Sequence, residues 1–215
     1  MQPYYYPYLG YFQLISAVDV WVNMDHVAFM KRSYMTRNSL KEGAAITLPV
    51  KKGSQNQNSR SIEVDLSSNL IRKFFSSIQH LYGKSENYDE LLDLITPAYT
   101  THNKSVAELN FDLISRICAY LDMETTLVPS SIGMTEYQKS KGIIEIVQSL
   151  NGTEYINAIG GVDLYDKTEF DEYSIDLKFL KMNITGPDHN LSILHHLFTT
   201  PKEVVKELLG DYSLV

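Results

Sequence analysis

The chain has 215 residues with 44% apolar content, enough for one well-buried domain and short for two, so a single domain over residues 1–215 is expected. A formal net charge of −7 argues against a general nucleic-acid binder, which needs a basic surface to displace counterions. No apolar run reaches the length of a membrane helix, nothing resembles a secretory signal, and the single cysteine, Cys118, rules out an intrachain disulfide and fits a reducing, cytoplasmic setting.

The opening stretch organises the rest. Five of the fifteen tyrosines fall in the first eleven positions, Pro3 and Pro7 hold the path rigid, and Gly10 opens a helix through Phe12, Leu14 and Ile15. A rigid turn ending at a helix N-terminus suits a phosphate or carboxylate, because the first N–H groups lack helical partners and the dipole favours an anion. Core and rim packing accounts for the same tyrosines equally well. Asp19 to Met24 reads as a buried strand, β-branched and aromatic in a short run, which puts Asp25 and His26 at its C-terminal end. In open α/β sheets ligands bind at that end.

Residues 31 to 60 hold seven bases against one acid, leaving twelve bases and twenty-five acids in the rest of the chain. Such a basic segment, with Lys31, Arg32 and Arg37, fits a small anionic ligand or else a solvated loop. It is expected to be loop-rich from Met30 to Lys41, followed by a strand over Ala45 to Val50, a polar loop over Gly53 to Ser61 and a weakly alternating strand over Ser61 to Leu66. Three helices follow. Leu70 to Leu81 carries one apolar face, Tyr88 to Ile95 a shorter one stopped by Pro97, and the third opens with a capping box, Ser105-x-x-Glu108, and runs to Leu121. Cys118 lies beside its stripe with no CxxC partner and reads as structural.

Thr125 to Val128 is a short strand, Tyr137 to Leu150 a helix closed by Asn151-Gly152, and Glu154 to Ile159 the clearest late strand. Its end, Gly160-Gly161, suits close backbone approach to a ligand or a simple turn. Ile175, Leu177 and Phe179 alternate as a final strand. Leu191 to Phe198 and Pro201 to Leu209 are helices, the last with Thr200 as N-cap and Pro201 at its first position. This alternation predicts an α/β fold: a mostly parallel Rossmann-like sheet with helices on both faces and a helical C-terminal part.

Metal chemistry finds little footing: His195-His196 are adjacent and diverge on a helix, while His26, His80, His102 and His189 show no HxxxH or HxH spacing. No Walker A, GxGxxG or GxSxG sequence occurs either, so no cofactor is assigned. Two constellations remain: the tyrosine-rich opening, and Asp25-His26 followed by Lys31-Arg32 and Arg37-Asn38.

Gln2-Pro-Tyr-Tyr-Tyr-Pro-Tyr-Leu-Gly-Tyr-Phe-Gln-Leu-Ile, then Asp25-x-Val-x-Phe-x-Lys-Arg with Arg37-Asn38, Thr47-Leu-Pro-Val-Lys, Tyr155-Ile-Asn-Ala-Ile-Gly-Gly and Leu191-Ser-Ile resemble, in order and over essentially the whole chain, the WbqC-like family. That resemblance implies a place in bacterial O-antigen and other surface-polysaccharide biosynthesis, with acyl or aminoacyl transfer to an amino sugar as one activity. In the family pattern an acid stands at the position of His26, a glutamine at Ala28 and an acid at His195. Relatives usually carry a short apolar strand ahead of the Gln-Pro motif, whereas this chain starts at Met1: either the start is truncated, or a central strand is missing and another segment must fill the gap. Pro7-Tyr8-Leu9-Gly10-Tyr11 is also similar to the P-H-x-G-H loop of adenylate-forming nucleotidylyl transferases, with tyrosine at both histidine positions.

The expected ligand is an anionic small molecule, a nucleotide-sugar or an activated acyl donor. Gln2, Tyr4, Tyr8, Gly10 and Tyr11 would line it, with Gly160 and Gly161. Lys31, Arg32 and Arg37 would neutralise its charge, and Asn38 would supply hydrogen bonds. Asp25 and His26 are acid/base candidates. Ser192 and His195, one turn apart on a helix face, form a nucleophile–base candidate or a helix cap and a packed histidine. The competing reading is a scaffold protein that keeps the pocket and has lost the reaction. Exposed aromatics would also suit a homodimer contact.

Overall fold

A computed structural model describes residues 1–51, 57–100, 104–131, 133–135 and 139–215. Lys52, the polar stretch from Gly53 to Asn56, His102, and Tyr137, where a helix is expected to begin, lie outside the described residues. The first half of the chain runs α1 (Leu9–Ser16), β1 (Val20–Val22), β2 (Arg37–Ser39), β3 (Ala45–Thr47), α2 (Asn69–Tyr82), α3 (Tyr88–Ile95) and α4 (Val106–Tyr120). The second runs β4 (Thr126–Val128), α5 (Lys139–Ser149), β5 (Glu154–Ala158), α6 (Lys167–Asp171), β6 (Asp176–Met182), α7 (Ile193–Thr199), α8 (Lys202–Leu208) and β7 (Tyr212–Leu214).

Local chemistry explains most of these boundaries. Ser68 caps α2 through its hydroxyl, and Ser105 and Glu108 complete both arms of the capping box on α4, satisfying N–H groups that a helix start leaves orphaned. Helix α2 buries Phe74, Ile78 and Tyr82, one residue per turn, while its other face stays wet. Helix α1 differs: every residue from Leu9 to Ile15 is buried, which its apolar sequence allows on all sides. The start of α8 departs from expectation by one residue, since Pro201 itself occupies the N-cap position and Thr200 closes α7 instead.

The alternation of strands and helices holds as a mixed α/β fold, but the described strands pair into three small sheets rather than one largely parallel one. β1 pairs with β4 in parallel, with Trp21 opposite Leu127, and β5 pairs with β6 in parallel, with Ile156 opposite Lys178. β2, inside the segment expected to be loop, pairs antiparallel with β3, which falls within the strand expected over Ala45 to Val50, and β7 adds an antiparallel edge to β6 that the sequence did not predict. The main core joins the opening tyrosines and α1 to α2, α4 and α7, with Tyr5, Tyr6, Phe12, Ile114 and Ile193 fully buried. Smaller clusters lie between α5, α6 and β6 and, around Leu14, Ile156 and Leu180, between α1 and β5–β6.

Between β1 and β5 lies a cavity of about 330 Å³ whose walls include Met1, Val20, Val22, Ile143, Glu154 and Ile156. Asp19 O and Asn23 N–H bond to β4, so strand alternation turns Val20 and Val22 toward this cavity. Met1 occupies its end: the amino group donates to Val22 O at 2.6 Å and Met24 N–H donates to Met1 O at 2.7 Å, the bonding pattern of a parallel neighbour of β1. Burial lowers the pKa of that amine to about 5. Beyond Met1, no described segment fills the space between β1 and β5.

Candidate functional site

The C-terminal ends of β1 and β4 are tied together by Asn23, whose backbone N–H bonds to Val128 O and whose amide donates to Pro129 O at 2.9 Å. This places Asp25 against the turn after β4. Its buried carboxylate accepts from Ser130 Oγ at 2.8 Å and from the Ser131 N–H and Oγ at 3.3 Å each. Asp25 O is itself held by Ser59 Oγ at 2.8 Å and by Arg60 N–H. His26 places Nδ1 2.6 Å from Ser131 Oγ, and its Nε2 is buried without a hydrogen-bond partner. Burial lowers the His26 pKa below its usual 6.5, against a smaller upward pull from Asp25, while Arg60 and the Met1 amine push it further down. A carboxylate and an imidazole brought together at strand ends are the groups that general acid–base catalysis uses. Because Met24 bonds to Met1, Gln2 and the opening loop begin next to this pair.

The opening loop divides into buried and accessible halves. Tyr5 and Tyr6 share hydrogen bonds with the Tyr99 hydroxyl at 2.8 and 3.1 Å, deep in the core, and Tyr11 donates to Gln2 O at 2.7 Å. Tyr4 and Tyr8 are half-buried, with Tyr4 bonded to Gln2 Oε1 at 3.3 Å and 5.6 Å between ring centres from the exposed Tyr34. Gly10 is buried under Tyr8: a Cβ there would lie 2.5 Å from that ring. Asn38 is buried and donates to Tyr6 O at 2.6 Å and Tyr5 O at 3.3 Å. Lys31, Arg32 and Arg37 are exposed.

Ser192 and His195 do not form a side-chain pair. Ser192 is fully buried, caps α7 by accepting from Leu194 N–H, and binds Ser39 O through its own N–H. His195 Nδ1 lies 3.2 Å from the Tyr82 hydroxyl and Nε2 lies 3.6 Å from Asp188, with burial as the main cause of a lowered pKa. Gly160 and Gly161 lie in the first turn of a short 3-10 helix (Ile159–Leu164) after β5, where Gly161 packs so closely on Asn157 that a Cβ would meet its amide at 2.5 Å. Burial pushes the Cys118 thiol up to about 12, which leaves it protonated and inert. Among the described residues no group of three or more His, Cys, Asp or Glu side chains could hold a metal.

Ser130, Ser131, Tyr82 and Asp188 escape a reading of the sequence. For the serines a signal existed: a Pro-Ser-Ser turn directly after a short apolar strand sits where parallel strands present ligand-facing groups.

The fold and this cluster define a mixed α/β protein with a buried carboxylate and a half-buried histidine linked through Ser131 at the ends of two parallel strands, and no helix among the described residues is long and apolar enough to cross a membrane. The chain belongs to the WbqC-like protein family, whose model matches residues 2–207. It is similar to the uncharacterized protein Rv1507c of Mycobacterium tuberculosis, 28% identical over 180 residues that cover 81% of this chain and 78% of the relative. No solved structure matches it.

Proposed function

We propose that the chain is a transferase of bacterial surface-glycan biosynthesis that binds an anionic donor, a nucleotide-sugar or activated acyl group, and passes an acyl or aminoacyl group to an amino sugar. Family membership supports the pathway. One observation carries the chemistry: Asp25 and His26 stand together, joined through Ser131, beside the start of the opening loop. In this reading Gln2, Tyr4 and Tyr8 offer hydroxyl and amide contacts, exposed Lys31, Arg32 and Arg37 neutralise the donor, and Asn38 acts by holding the tyrosine loop. The fold reading behind it is one domain with a Rossmann-like sheet in two parts, β4–β1 and β5–β6–β7, on either side of the cavity. It works in the cytoplasm, as a monomer or homodimer.

A scaffold reading, with the pocket kept and the reaction lost, draws on His195 and Ser192, whose side chains are committed to Tyr82 and to the α7 cap. A thermal-shift screen against nucleotide-sugars, nucleoside phosphates and acyl donors separates the two. A ligand at a hundred times its dissociation constant stabilises by about 2.7 kcal/mol. The transferase reading expects a selective shift, and turnover with the shifting donor and an amino sugar that Asp25→Asn abolishes; a selective shift without turnover supports the scaffold. A folded chain that responds to none of these ligands overturns both.

A further inference from the structure

The Ser131 hydroxyl has one hydrogen and two partners, His26 Nδ1 at 2.6 Å and Asp25 Oδ1 at 3.3 Å. A carboxylate only accepts, and the other Asp25 oxygen already takes the Ser130 hydroxyl at 2.8 Å. Both Ser131 contacts are therefore hydrogen bonds in one arrangement alone: Ser131 donates to Asp25 and accepts from His26, so Nδ1 carries the imidazole hydrogen. In the reverse arrangement the serine oxygen and the carboxylate would face each other as bare acceptors, and the hydrogen would sit on Nε2, which is buried without an acceptor. Which ring nitrogen is protonated is set by the bond that the other makes.

We propose that Asp25, Ser131 and His26 form one oriented relay in which Ser131 is a positioning residue, fixing the imidazole as Nδ1–H and leaving the Nε2 lone pair as the base for an acceptor N–H or O–H. This rests on the reading of Asp25 and His26 as the acid/base site. In the step itself the acceptor's proton moves to Nε2 and its bonding pair stays on the acceptor nitrogen or oxygen, ready to form the new acyl bond. The imidazolium keeps its Nδ1–H on Ser131, and the serine hydrogen stays directed at the Asp25 carboxylate, so the positive charge forms next to a polarised hydroxyl and one bond from a negative charge. The other charges near the ring are Arg60, from the turn before residue 62, and the Met1 amine of the opening loop; both oppose protonation, so the serine–carboxylate arm is the feature that favours it. The orphaned Nε2 is the point where an acceptor's hydrogen would complete the network.

The test is nitrogen-15 NMR of the imidazoles in the full chain, without ligand, with His26 identified by the signal lost in His26→Gln. At a pH above its titration, His26 is expected to show a protonated Nδ1 and a bare Nε2. Ser131→Ala should move the hydrogen to Nε2, and Ser131→Thr, which keeps the hydroxyl, should restore the original pattern. A wild-type His26 with its hydrogen on Nε2 overturns the relay, whether or not the Ser131→Ala chain folds. A tautomer unchanged in a folded Ser131→Ala chain overturns the role of the serine. Since no ligand is needed, an Nδ1–H imidazole in a chain that turns over no donor would leave the relay standing and remove the transferase reading instead.

Discussion

At Asn38 a single buried amide decides the path of the opening loop. Tyr6 has a backbone φ of 44°, a left-handed conformation that costs a non-glycine residue about 1–2 kcal/mol. The Asn38 amide holds it there by donating to Tyr6 O and Tyr5 O, while its own Oδ1 accepts from Ser39 N–H. Asn110 does the same on the other side of the loop, bridging Pro3 O and Met35 O at 2.9 Å each. Asn38→Ala should lower stability by about 2–6 kcal/mol, because two buried carbonyls lose their donor at roughly 1–3 kcal/mol each, and urea unfolding should show a lower midpoint with an unchanged slope. Asn38→Asp should be worse still, since it turns a carboxylate toward both carbonyls. An Asp variant as stable as the wild type would mean that the amide is not what pins the turn. The sequence marked Asn38 as a polar group worth explaining, yet its partners lie more than thirty positions earlier, and nothing local in Arg37-Asn38-Ser39 points to them. Ser192 is alike: a serine at a helix start was legible as a cap, whereas its bond to Ser39 is a product of tertiary packing.

Elements were legible where their own residues carry the signal and illegible where a partner strand does. Ser105 and Glu108 announce α4 without any knowledge of the fold, and both arms of the box form. β2 and β7 have three residues each, too few for a period-two pattern to emerge, and their pairing is set by the partner strand, as between Leu180 and Leu214, whereas β3 falls within the strand expected over Ala45 to Val50. The same logic applies to the cavity between β1 and β5. Val20, Val22, Glu154 and Ile156 turn their edge groups toward it, and Met1 already pairs with β1 in the parallel register. An edge with unpaired N–H and C=O groups and apolar walls is a template for one more strand. A five-residue Val/Ile-rich segment fused ahead of Met1 should raise the melting temperature by several degrees, since burying even one such side chain fully stabilises by about 1.5–3 kcal/mol. Amide exchange should slow at Val20, Val22 and Ile156, and a charged segment of equal length should do neither. Equal melting temperatures for the two fusions would show that the cavity does not accept a strand.

Across the whole molecule, buried bases set how stability follows pH. The Met1 amine, His26, His195 and His196 all have lowered pKa values with burial as the leading cause, so across the window between their folded and unfolded values the unfolded chain binds more protons. Stability therefore rises with pH through that window and is penalised below it. For the amine the window runs from about 5 to its ordinary 8.0, and a displacement of that size corresponds to at most about 4 kcal/mol. The histidines act below 6.5, with the same sign. Carboxylates held low act elsewhere: Asp122 beside Lys202 and Lys206, and Asp166 bonded to Thr168, lose their contributions only in stronger acid. Urea unfolding at pH 5.5, 6.5 and 8 should thus give a steady gain in stability, largest between the first and last points. Acetylating the amino terminus, or fusing the apolar strand ahead of it, converts the amine to an amide and should reduce the slope between pH 6.5 and 8, leaving the smaller part that the histidines contribute just above 6.5. Persistence of the full slope in the acetylated chain would assign it to other groups, and equal stability at pH 5.5 and 8 in the unmodified chain would mean that the amine reaches water rather than resting on Val22.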